Sequence, residues 1–122
     1  MAQHATLTVE RWSSFSPVQQ ILMIANEMNR AKRLFSPLDK KGVTLCYERI
    51  LYLTDLTIQS NPRRGFRKEL LRWRDLAAEE YLSLSRNNGI SESDMNRHLN
   101  IFRILLLMNP ESAKQISMIV RS

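Results

Sequence analysis

Six basic residues, Arg63, Arg64, Arg67, Lys68, Arg72 and Arg74, crowd into one short stretch of the chain. Cations in such a cluster bind anions: arginine forks grip carboxylate or phosphate oxygens in pairs, and lysine adds a compact point charge. Arg64, Lys68 and Arg72 recur every four residues, so on a helix they form one ridge, which Asp75 and Glu79 continue. This order opposes the helix dipole, which favours acids early and bases late, by up to ~1 kcal/mol for each exposed charge. An anion at the helix start would supply what the order lacks, through free backbone N–H groups and arginine forks together. Arg63, Arg64, Arg67, Lys68 and Arg72 are therefore the candidate anion-binding or nucleic-acid-binding residues. The competing expectation is that acids on a neighbouring helix neutralise the ridge, or that solvent simply screens it. Contact with nucleic acid would be mostly to phosphates and weakly sequence-specific, because Phe66 and Trp73 belong to an apolar stripe and are not free to stack on bases.

Other chemistry is sparse. Glu79 and Glu80 are adjacent, so on a helix they point about 100° apart. They and the pair Glu92 and Asp94 read as solvated helix surface. His4, His98 and Cys46 lie far apart, without the ligand spacing of a zinc site. The sequence carries no glycine-rich phosphate loop, dinucleotide fingerprint or nucleophile elbow. The expectation is a chain with no catalytic residues, no metal and no cofactor, hence not an enzyme. Glu27, Arg30, Glu48, Arg49 and Asp55 are expected to pair between helices and fix their register.

These residues need elements to hold them. Ser16-Pro17-Val18-Gln19 is a helix start, with Ser16 as cap, Pro17 at the first position and Gln19 closing a capping box. Ile21, Ile24, Ala25, Met28, Ala31 and Phe35 follow at spacings of three and four. Pro37 disfavours helix at Ser36, which ends this first helix near Phe35. A second helix is expected over about residues 43–59. Its main stripe includes Val43, Cys46, Tyr47 and Ile50, and Leu45, Tyr52 and Leu56 make a second stripe on roughly the opposite side. A surface helix needs one apolar face. Two faces predict a central helix, or else an interface with another chain through Leu45, Tyr52 and Leu56. Ser60-Asn61-Pro62 ends that helix. A third runs from about 64 to 84, with Phe66, Leu70, Trp73, Ala77, Tyr81 and Leu84 on one face. Arg86-Asn87-Asn88-Gly89 signals a turn, and a fourth helix spans about 92–108. Asn109-Pro110-Glu111 can cap a short fifth carrying Ala113, Ile116, Ile119 and Val120.

No segment alternates with period two, and three glycines with four prolines are too few for the turns of an all-β domain. The fold class expected is all-α: an up-and-down antiparallel bundle of four main helices plus a short C-terminal helix. Residues 16–122 form the single domain, preceded by an extended or loosely held arm, residues 1–15, whose Trp12 and Phe15 dock on it. A length of 122 residues suits one self-sufficient core, and 43% apolar with 25% charged residues is ordinary globular composition. The net charge of +6 biases encounter toward anionic partners. Cys46 is the only cysteine, so no internal disulfide forms, and with no secretion pattern at the start this implies the cytoplasm. No apolar run is long enough to span a bilayer.

Ala25-Asn26-Glu27-Met28-Asn29-Arg30-Ala31, with the run from Tyr47-Glu48-Arg49-Ile50 to Thr57-Ile58, resembles small uncharacterised bacterial all-helical bundle proteins. The resemblance covers about half the chain and implies the bundle without a function. In size and helicity the chain also resembles HEPN-type ribonucleases. Their hallmark arginine, four to six residues before a histidine, is missing here: Arg97 adjoins His98 and Arg86 is too distant. A HEPN-like bundle would lack the nuclease motif. Beyond its Ser16-Pro17 start, nothing specific links the chain to flagellin-export chaperones. The functional expectation is a non-enzymatic helical interaction module that binds a protein partner or itself. Polyanion binding through the basic start of the third helix is the alternative.

Overall fold

The computed structural model describes residues 8–108, and its regular elements are all helices: α1 Val9–Ser13, α2 Pro17–Phe35, α3 Lys40–Ser60, α4 Arg64–Arg86 and α5 Glu92–Leu107. No strand occurs among the described residues. The expected short helix carrying Ala113 to Val120 lies outside them.

Local chemistry sets the helix ends. The Ser16 hydroxyl accepts from Gln19 N at 3.2 Å, and Gln19 Oε1 accepts from Ser16 N at 2.8 Å, the capping box read from the sequence. Ser91 and Asp94 make the same box at the start of α5. α2 ends at Phe35, ahead of Pro37. The turn that follows places Leu38 at φ 57°, in the left-handed region that costs a non-glycine residue energy. α3 starts at Lys40, three residues earlier than the apolar pattern suggests, because Asp39 caps it by accepting from Gly42 N at 3.0 Å. A Cβ at position 42 would stand 2.5 Å from Asp39 Oδ2 and 2.9 Å from Leu34 Cδ1, so a side chain there would push the Asp39 cap and Leu34 aside.

The expected extended arm is in part a helix. Thr8 caps α1, and Trp12 is buried and donates its indole N–H to Thr57 Oγ1 at 2.9 Å. Trp12 docks on the domain as its size demands, whereas Phe15 stays at the surface, edge-on to Trp12. Five residues bury little apolar area by themselves, so α1 owes its stability to this docking.

Helices α2 to α5 form a closed ring: α2 packs on α3, α3 on α4, α4 on α5, and α5 returns to α2. Along the α3–α4 seam, Ile58 meets Arg67, Asp55 meets Arg74 and Glu48 meets Tyr81, so these two helices run antiparallel. α3 also carries α1, which makes it the central helix. Its two apolar stripes follow from that position. Of the pairs expected to fix register, Glu27 holds Arg49 across α2–α3 at 3.1 Å, and Asp55 holds Arg74 across α3–α4 at 2.5 Å. Trp73 fills the centre of α4 and donates to the Ile101 carbonyl of α5 at 2.8 Å. Among the described residues, no helix is long and apolar enough to cross a membrane.

Candidate interaction surface

α4 begins without a side-chain cap. Arg63 stands at the cap position, makes no capping hydrogen bond, and no acid occupies the first turn. The backbone N–H groups of that turn are therefore left to solvent or a ligand. The basic cluster then divides. Arg67 turns back along the seam and donates to the Ile58 carbonyl at 3.0 and 3.3 Å, beside the Asn61 N–H that caps the end of α3 there at 3.4 Å. Arg74 is tied to Asp55. Arg63, Arg64, Lys68 and Arg72 are exposed, and none of their side chains joins a hydrogen bond or ion pair among the described residues. The expected neutralisation by a neighbouring helix thus reaches Arg74 but not the ridge. Of the five candidate residues, four face outward and Arg67 is built into the fold.

The outward face of α4 is not purely polar. Leu71 and Leu82 are each 47% exposed; helical spacing puts Leu71 beside Lys68, and Leu82 on the same side of the helix further along, next to Glu79. On the side toward α5 an apolar hollow of about 370 Å³ is lined by Trp73, Leu76, Ile104, Leu107 and Met108, with Glu69 and Arg72 at its charged edge. Arg72 belongs to both, so the charged ridge forms one edge of the hollow.

The second stripe of α3 is divided. Leu45 is 47% exposed and Tyr52 is half-buried, whereas Leu56 is 5% exposed and packed in the core. Leu56 is covered within the chain, so the stripe does not present three residues to another molecule.

The largest departure from the sequence reading is a buried polar cluster. Glu80 is 2% exposed and Asp94 is fully buried, where both were expected on solvated surface. The period explains Glu80: it shares a helical face with Trp73, Ala77 and Leu84, and reading it with its neighbour Glu79 hid that. Asp94 leads the α5 stripe His98, Ile101, Phe102 and Leu105. Arg97, on the rim, donates Nε to Glu80 Oε1 and Nη2 to Asp94 Oδ1, both at 2.6 Å. Burial pushes the Glu80 carboxyl up to about 7. Asp94 stays below its ordinary value despite its own burial, held there by hydrogen bonds from Ser91, Glu80 and Arg97. Beside this group Tyr47 and His98 meet at 2.6 Å, and His98 Nε2 lies 2.9 Å from the Met28 carbonyl. Burial lowers His98 to about 4, so the ring is neutral, with one nitrogen donating to Met28 and the other accepting from Tyr47. Tyr47 is raised, again chiefly by burial. Nothing in the spacing of His98 and Tyr47 signals their meeting, because only the α2–α5 closure brings them together.

Among the described residues no group of three or more histidine, cysteine or acidic side chains could hold a metal ion. No protein-family model, curated protein or solved structure matches the chain.

Proposed function

We propose that this chain is a non-enzymatic interaction module that binds a partly apolar, acidic protein segment along the outward face of α4. The observation that carries this reading is the ridge Arg64, Lys68 and Arg72, exposed and unpaired among the described residues, with Leu71 and Leu82 on the same face. Unpaired cations favour an anionic partner, and exposed leucines beside them favour protein over phosphate. The buried cluster supports a binding role in a different way. Both ring nitrogens of His98 are committed, and buried Glu80 and Asp94 are each bonded to Arg97, so these groups take part in holding helices. Free, buried Cys46 agrees with a reducing compartment such as the cytoplasm.

Polyanion binding is the second reading, favoured specifically by the uncapped start of α4 beside Arg63 and Arg64. Self-association through Leu45, Tyr52 and Leu56 loses support with Leu56 covered, since a stable interface needs roughly 800 Å² on each partner.

The test is a titration with three probes: a helical peptide of leucines and glutamates, its leucine–lysine counterpart, and a short DNA duplex. The reading expects binding of the acidic peptide alone, weakened by salt and lost when Leu71 and Leu82 are both changed to Asp. Binding of the duplex that survives those leucine changes would replace it with the polyanion reading. Binding of the lysine peptide equal to that of the acidic one would reject both.

A further inference from the structure

Glu80 and Asp94 bring two carboxyl groups to a single guanidinium in the α4–α5 seam. Arg97 satisfies one oxygen of each at 2.6 Å. The other Asp94 oxygen accepts from the Ser91 backbone N–H at 2.8 Å and lies 3.0 Å from the Ser91 hydroxyl. Glu80 Oε2 has no donor, although it is buried. The shared guanidinium of Arg97 brings the two buried carboxyls together. Two ionised carboxylates cannot hydrogen-bond each other, since each only accepts. A buried acceptor left unpaired beside a second negative charge is costly as well.

We propose that Glu80 and Asp94 share one proton, carried by Glu80, and that this proton latches α5 to α4 so that the seam loosens when it leaves. The charged and titratable groups facing Glu80 account for its choice as carrier. α5 contributes Asp94 and Arg97, with His98 behind; α3 contributes Tyr47; α4 itself contributes the neighbouring, exposed Glu79. Asp94 has the Ser91 donors as well as Arg97 and holds its charge. Glu80 has Arg97 alone and takes the proton. With the proton in place the group carries one negative and one positive charge. Without it, a second negative charge sits on a buried carboxyl that has Arg97 alone as donor.

Glu80→Gln tests the latch, because the amide keeps an acceptor for Arg97 and supplies a permanent donor to Asp94. The carboxyl carbon of Glu80 in the wild-type protein, assigned by its absence in the variant, should titrate near 7 by NMR. Changing Asp94 to Asn should move that midpoint toward the ordinary glutamate range. The ratio of wild-type to variant unfolding constants should rise by up to tenfold per pH unit between pH 4.5 and 7 and then level off, as one proton requires. Taking the ratio removes the contribution of His98, which both proteins share. At pH 8 the Trp73 indole N–H, bonded to Ile101 across the same seam, should exchange faster in the wild type than in the variant. A Glu80 midpoint near 4.5 would overturn the proposal, and so would a ratio independent of pH. Equal Trp73 exchange in the two proteins at pH 8 would refute the loosening of the seam.

Discussion

Glu80 and His98 are both buried ionisable groups, and their titrations act on stability in opposite directions. The folded Glu80 holds its proton to about 7 against an ordinary 4.5, so between these values the folded state binds more protons and stability falls as pH rises. The folded His98 stays neutral to about 4 against an ordinary 6.5, so there the unfolded state binds more protons and stability falls as pH drops. The windows overlap from 4.5 to 6.5, where the two effects offset each other. Urea denaturation should therefore give nearly constant stability across that overlap, with loss on either side. His98→Gln should leave only the fall with rising pH, and Glu80→Gln only the rise. A steep wild-type slope between pH 5 and 6 would show that one of the two is not perturbed as its burial implies. Trp73 carries a different kind of weight, through packing. Trp73→Ala should cost about 3–5 kcal/mol, for the cavity and for the Ile101 carbonyl left without its donor. A loss below about 1 kcal/mol by the same measurement would remove it from the core.

At the scale of elements, what the sequence made legible was whatever local chemistry decides. The ends of α2 and α5 follow from Ser16 with Gln19 and from Ser91, which cap within three residues. α3 was placed late, because Asp39 and Gly42 cap it before its first apolar residue, and their fit depends on the approach of Leu34. α1 was missed for a related reason: five residues form a helix only once Trp12 is bound to α3. The ridge of α4 was legible from its spacing of four. Which of its residues are free was not, since Arg67 and Arg74 are withdrawn by partners on α3. The ridge opposes the dipole of its own helix, so reversing Arg64, Lys68 and Arg72 to Glu should leave thermal stability little changed, since the gain of up to about 1 kcal/mol is confined to Arg64 in the first turn. Arg67→Ala should instead lower stability by about 1–3 kcal/mol, because it strips a charged donor from the Ile58 carbonyl. Thermal unfolding of the two variants separates the residues available for binding from the one that holds the seam.

Over the whole molecule, a net charge of +6 draws anionic surfaces toward the chain, and the unpaired ridge concentrates that attraction on α4. The two stripes of α3 left a central helix and an interface both open, and only the packing of α1, α2 and α4 on it shows that Leu56 is covered while Leu45 is not. Tyr52→Glu should accordingly leave the light-scattering mass unchanged, whereas Leu56→Glu should unfold the chain. A mass that halves in Tyr52→Glu while helicity persists would restore α3 as an interface. The most direct test of the binding account is a titration of the leucine–glutamate peptide into the wild type and into the variant with Arg64, Lys68 and Arg72 all changed to Glu, each at low and high salt. The account predicts saturable binding by the wild type that weakens with salt, and no binding by a variant that remains fully folded. Equal affinity of the two proteins, or binding indifferent to salt, would contradict it.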